Sequence, residues 1–182
     1  MNIVVTGYAG LEGSRLIFEN RICREKLLNR YSKSFFGVFE NGQSSELRPD
    51  GLEQLFEQEK EQGRAADAGD GGVLSALWRV LKACRLGGTY AQKEIPVLQQ
   101  TIEICEMFAL NPYRLYAPGC RVWVSEDTGL IFREAAPAGV PLRVIGFTCK
   151  GAAIRRTDAG TESSLRRPEG DELKRVPGIA YP

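Results

Sequence analysis

A chain of 182 residues has room for one ordinary domain with a full hydrophobic core, or for one domain plus tails. Hydrophobic residues at 43% and charged residues at 26% are globular values, which argue against wholesale disorder and against a membrane protein. The 24 basic and 23 acidic residues nearly cancel, so a net charge of +1 creates no global field for nucleic acid or an anionic membrane, and any charged ligand must be held by a local patch.

In chain order, Ile3-Val4-Val5-Thr6 is a short β-rich run closed by Gly7. After Ala9-Gly10-Leu11-Glu12-Gly13-Ser14 a helical pattern begins, with Leu16, Cys23, Leu27 and Tyr31 at three-to-four residue spacing. This predicts a strand, a glycine loop and a helix over 15–31. Asn41 to Asp50 turns to Gly, Ser, Asn and Pro and reads as an exposed loop. Leu52, Leu55 and Phe56 then share one side of a short helix that Gly63 stops.

Ala66-Asp67-Ala68-Gly69-Asp70-Gly71-Gly72 follows, with three glycines and two carboxylates directly before the most regular apolar stripe of the chain, Val73, Leu74, Leu77, Val80, Leu81 and Cys84. It reads as a loop feeding the N-terminus of a core helix over 73–86. Glycines let the backbone come close to a ligand, and the free amides of a first helical turn attract anions. Two readings stand side by side: a phosphate or metal-phosphate site, and an ordinary turn in which Asp70 caps the helix. If carboxylates cap those amides, an anion is excluded. Asp67 and Asp70 also form a candidate magnesium pair, since two carboxylates plus phosphate oxygens are what that ion normally uses.

Thr89-Tyr90-Ala91 is a further candidate strand, and Ile95-Pro96 opens a helix over 97–109 that Asn111-Pro112 stops. Arg121-Val122-Trp123-Val124 and Leu142-Arg143-Val144-Ile145 alternate as half-buried strands, and Ala152 to Arg156 reads as one more. From Thr157 onward Asp, Gly, Glu, Ser, Arg and Pro dominate, which predicts one domain over 1–156 and a loosely held tail over 157–182 with a late turn at Leu173 to Val176. The expected fold class is α/β, a mixed sheet built from the runs near 3–6, 121–125 and 142–147 and covered by the helices at 15–31, 73–86 and 97–109.

The absence of histidine excludes Ser-His-Asp and Cys-His nucleophiles, histidine general bases and most zinc hydrolase sites. The five cysteines lie far apart and never form Cys-x-x-Cys, so structural zinc is not expected and all five are read as reduced. No apolar run is long enough to span a bilayer, and the first residues lack a signal peptide's pattern. A cytoplasmic protein is expected.

In one order, Val4-Val5-Thr6, Gly10-Leu11-Glu12-Gly13-Ser14 and Asp67 through Trp78 resemble the C-terminal domain of the aminoimidazole-ribonucleotide (AIR) synthase superfamily, most of all its hydrogenase maturation (HypE-type) members. Ile95-Pro96-Val97, Asn111-Pro112-Tyr113-Arg114-Leu115, Gly139-Val140-Pro141 and Asp171-Glu172-Leu173 continue the likeness over nearly the whole chain. The resemblance implies an AIR synthase C-terminal-like domain whose glycine-rich acidic loop faces a cleft toward an N-terminal ATP-binding domain, where an activated phosphate intermediate is made. Thr6 and Glu12 would point into the same cleft. The candidate ligand residues are therefore Thr6, Glu12, Asp67, Gly69, Asp70, Gly71 and Gly72.

The sequence departs from the family loop His-Asp-x-Thr-Glu-Gly-Gly: Ala66, Gly69 and Asp70 stand at the histidine, threonine and glutamate places. Ala117-Pro118-Gly119 replaces a Ser-Ser-Gly loop and loses two hydroxyl donors. The chain ends Ala180-Tyr181-Pro182 where the hydrogenase maturation members end in a cysteine that carries a carbamoyl group, so that chemistry is not expected. These departures lead to a stand-alone, non-catalytic binding or regulatory module with a degenerate site, no catalytic residue and no cofactor of its own. The alternative is one half of a split ATP-dependent synthase or dehydratase, with Mg-ATP brought by a separately encoded ATP-binding domain. Expected partners are that domain or a second copy in a homo-oligomer, with no nucleic acid and no membrane.

Overall fold

β1 (Asn2–Thr6) sits inside the sheet, and Ile3, Val4, Val5 and Thr6 are all essentially sealed from solvent. A strand covered on both faces needs such an unbroken apolar run rather than alternation. These observations come from a computed structural model that describes residues 1–40, 50–158 and 161–182. The other strands are β2 (Ala65–Ala68), β3 (Gly87–Tyr90), β4 (Ala117–Ser125), β5 (Leu142–Cys149), β6 (Ile154–Asp158) and β7 (Thr161–Ser164). They form one seven-stranded sheet in the order β2-β4-β1-β5-β3-β6-β7, antiparallel except for the parallel β3/β6 pair. The fold is α/β with a mixed sheet, as expected.

The α-helices among the described residues are α1 (Leu11–Glu19), α2 (Arg21–Leu28), α3 (Gly37–Glu40), α4 (Asp50–Glu61), α5 (Gly72–Ala83), α6 (Gln99–Phe108) and α7 (Thr128–Ala135). The stripe Val73, Leu77, Val80 and Leu81 of α5 packs with Ile3, Val5, Val122, Val124 and Ile145. Side chains that alternate along β1 and β4 point the other way, and there Val4 and Trp123 meet Leu52 and Phe56 of α4 and Ile131 of α7. A third cluster gathers Phe18, Leu27, Phe36, Ile104, Leu115, Leu173 and Val176.

Several elements differ from expectation. The helix over 15–31 is two helices, because Asn20 turns extended and its side chain accepts the Cys23 amide at 3.1 Å, which starts α2 afresh. Ala65–Ala68, read as loop, is a strand: its small residues carry no β signal of their own, and pairing with β4 decides it. The helix α7 was hidden in a stretch read as a connection, although Asp127 caps it by accepting the Gly129 amide at 2.8 Å. From residue 157, where a loose tail was expected, β6 pairs with β7 and Asp171, Glu172, Leu173 and Val176 are buried, while the late turn expected at Leu173 to Val176 forms at Glu172–Arg175. Leu173 and Val176 find apolar partners on α1, α2 and α6 that composition could not reveal. The expected exposed loop at Asn41 to Asp50 lies outside the described residues except for Asp50, which opens α4. The five cysteines are free thiols.

Candidate functional site

The register of the sheet lines up three of the residues that matter. Thr6 of β1 pairs with Arg121 of β4, and Arg121 pairs with Asp67 of β2, so the three form one row across neighbouring strands. Arg121 is 3% exposed. Its guanidinium lies 3.8 Å from the Phe56 ring centre, its Nη2 is 2.5 Å from Glu53, and its Nε is 3.9 Å from the Asp67 carboxylate. Thr6 uses its hydroxyl as an acceptor for the buried Trp123 indole N–H at 3.0 Å.

Asp67 ties the glycine loop to β4 where the β2/β4 register shifts. Its Oδ1 accepts the Gly69 amide at 2.8 Å and its Oδ2 accepts the Gly119 amide at 2.9 Å. The next residues, Gly71 and Gly72, have φ of 79° and 66°, a left-handed backbone that suits glycine. A Cβ on Gly72 would also stand 2.6 Å from the Tyr113 carbonyl oxygen, so backbone packing as well as backbone angle requires glycine there.

Asp70 does not cap α5, contrary to the turn reading. Gly71 occupies the cap position with no side-chain bond from its neighbours, and Asp70 instead accepts from Lys174 Nζ at 3.0 Å and from the Tyr181 hydroxyl. The cap comes from the far end of the chain. Asp171 Oδ2 accepts the Gly71 amide at 2.7 Å, while its Oδ1 accepts the Tyr116 amide at 3.1 Å and the Leu173 amide at 2.8 Å. Residues 171–181 therefore lie against the glycine loop.

The electrostatics follow from these contacts. The Tyr181 hydroxyl, then Lys174, hold the Asp70 carboxyl below the usual aspartate range. Burial pushes Asp171 up, its three amide donors pull it back, and the neighbouring Asp70 charge adds to the rise. Tyr181 is pushed up by burial and by the bond to Asp70. Cys120, beside Gly119 in β4, is raised by burial and by the Asp67 charge, so its thiol stays protonated at neutral pH and is no nucleophile.

Of the expected site residues, the structure thus brings Thr6 and Asp67 into one row and keeps Gly69, Gly71 and Gly72 in one turn. Glu12 sits in the first turn of α1 and is held by Arg15, whose Nε donates to it at 3.0 Å. Asp67 and Asp70 direct their oxygens to different partners, and no group of three potential metal ligands occurs among the described residues. Sequence reasoning missed Arg121, Glu53, Asp171, Lys174 and Tyr181 as neighbours of the loop. An arginine inside the apolar run Cys120-Arg121-Val122-Trp123 was the available signal for the first of them.

Solved structures supply the comparison. HypE of E. coli, a hydrogenase maturation protein, superposes with a TM-score of 0.69 at 20% identity, over 98% of this chain and 52% of its own. The fold is AIR synthase-like. HypE from a HypE-HypF complex matches with a TM-score of 0.60 at 18% identity, over 92% of this chain and 52% of that one. Thiamine-monophosphate kinase from Stenotrophomonas maltophilia matches with a TM-score of 0.55 at 15% identity, over 88% and 51%. The chain spans about half the length of these AIR synthase-like proteins. No protein-family model and no curated protein matches the sequence. At such identities the AIR synthase-like fold is what the likeness carries, and chemistry has to be argued from side chains.

Proposed function

We propose that this chain works as a binding or regulatory module on an AIR synthase-like scaffold, with a degenerate site and no phosphoryl-transfer activity of its own. One observation supports this most: three amides in and beside the glycine loop, those of Gly69, Gly71 and Gly119, already donate to Asp67 and Asp171. An anion that uses the Gly69 or Gly71 amide has to displace a carboxylate from it, while of the other candidate ligand residues Thr6 is buried against Trp123 and Glu12 is held by Arg15. Magnesium at Asp67 and Asp70 has to displace amides, Lys174 and Tyr181. Five free thiols suit a cytoplasmic location. No helix of the described residues is long and apolar enough to cross a membrane. The experiment is calorimetric titration of Mg-ATP into the purified chain, with phosphate release followed in parallel. No saturable heat and no turnover are expected, and micromolar binding or hydrolysis overturns the reading.

A second reading is one half of a split ATP-dependent synthase or dehydratase whose ATP-binding domain is encoded separately. It is favoured by the match to about half of each HypE and kinase chain. The exposed apolar side chains Phe132, Val144 and Phe147 offer a surface for such a partner or for a second copy of this chain. A pull-down from the native host, read by mass spectrometry, separates the two: an ATP-binding chain recovered in equal amount supports the split enzyme, and recovery of this chain alone supports the module or its homo-oligomer.

A further inference from the structure

A groove of about 340 Å³ opens at the side of the sheet away from Asp67, between the first turn of α5, the end of β3, the turn Pro112–Arg114 and the segment that includes and follows β7. No residue of the glycine loop lines it. Its charge is one-sided: Arg114, Arg156, Arg166 and Arg167 face a single lining carboxylate, Glu169. In a chain whose basic and acidic residues nearly cancel, that is the local concentration of cations a charged ligand would need.

Neighbouring carboxylates leave much of this donor capacity unused. Arg114 stands 3.6 Å from Glu172 and 3.9 Å from Glu169, beyond hydrogen-bond length, and donates at 3.2 Å to the Gly170 carbonyl. Its buried Nε has no hydrogen-bond partner. Arg156 is tied to Asp158 at 3.4 Å and to Gln92 at 3.3 Å. Arg166 and Arg167 have no carboxylate within ion-pair distance among the described residues, and Arg167 rests 5.7 Å from the Trp78 ring centre. Ser163 and Ser164 add hydroxyl-bearing residues to the same wall, while Leu74 and Tyr90 give it an apolar floor.

We infer that this groove binds a small phosphate-bearing ligand. Guanidinium forks match phosphate oxygens two at a time, and hydroxyls complete the set of donors. The volume suits a small molecule, and the floor of Leu74 and Tyr90 receives its organic part. The groove adjoins the glycine loop, where the Arg114 backbone packs on Gly72, but its lining residues are different ones, so the inference goes beyond the module reading and either can fail alone.

The test is calorimetric titration of pyrophosphate, at low salt, into the full chain and into the doubly substituted Arg166→Ala, Arg167→Ala protein. Both side chains are exposed, so the variant should fold, and a thermal melt matching the parent verifies it. The parent should bind saturably, and the variant should bind at least roughly tenfold more weakly through loss of charge-assisted hydrogen bonds. Arg21→Ala, which removes an exposed arginine of α2 outside the groove, should leave the affinity unchanged. Absence of saturable binding by the parent, or equal affinity in the double variant, overturns the inference. So does a single-stranded RNA that binds more tightly than pyrophosphate and loses affinity in the same variant, because the ligand class would then be a polymer.

Discussion

Asp171 Oδ2 takes the amide of Gly71 at 2.7 Å, across 100 residues of sequence. A buried carboxylate from the C-terminal segment thereby does for α5 what the adjacent Asp70 was expected to do, and with its other oxygen it also satisfies Tyr116 and Leu173. Asp171→Ala would strand three amides, at about 1–3 kcal/mol for each left without a partner, partly offset by entering water. We expect a net loss of about 2–4 kcal/mol of stability in urea titration. A loss near zero would show that the 171–176 segment does not anchor the loop.

Acid should loosen the contact between Asp70 and the C-terminal segment. The Asp70 carboxyl lies below its ordinary value because Tyr181 and Lys174 favour the charged form. A carboxyl depressed in the native state contributes stability that is present above its unfolded pKa and is lost as pH falls through the native one. Asp171 is raised, so it has the opposite sign: its share declines as pH rises from the unfolded toward the native value. Hydrogen exchange at Lys174 and Tyr181 should therefore quicken, relative to the intrinsic rate, on acidification below the usual aspartate range. Asp70→Asn should abolish this acid response, and identical profiles in the two proteins would count against it.

Arg121 should be the most sensitive charged residue of the sheet. It is buried, stacked on Phe56 and bound to Glu53 at 2.5 Å. Arg121→Ala removes the stacked plane and leaves Asp67 and Glu53 without their cation, for which we expect a loss of about 2–4 kcal/mol. Arg121→Met fills the space without the charge and should lose less. The order of the two in thermal melts checks this, and a more stable alanine variant would refute it.

Thr6 accepts the Trp123 indole N–H in the interior. Thr6→Val keeps the shape and removes the acceptor, so about 1–3 kcal/mol should be lost to an unsatisfied buried donor, while Thr6→Ser should keep most of the bond. Indole N–H chemical shift and urea midpoints report both effects. Equal midpoints for the two variants would mean that the hydroxyl does not support Trp123.

The sequence by itself determined the elements whose signal is local. The stripe from Val73 to Leu81 makes α5 wherever it is placed, the continuous run Ile3-Val4-Val5 demands a strand covered on both faces, and the ordered motifs pointed to an AIR synthase-like fold. What faces what was decided only by tertiary structure. Ala65–Ala68 has no β preference and became a strand because β4 offered its edge. Asp70 and Asp171 are equally good caps as residue types, and the geometry of a turn in which Gly71 and Gly72 run left-handed left the nearer one facing Lys174 and Tyr181 and the farther one facing the amides. The tail after residue 157 is polar in composition, yet Leu173 and Val176 are buried because apolar surfaces from α1, α2 and α6 meet there. Local propensity acts over a few residues, whereas a cap, a salt bridge or a sheet edge can draw its partner from any distance along the chain.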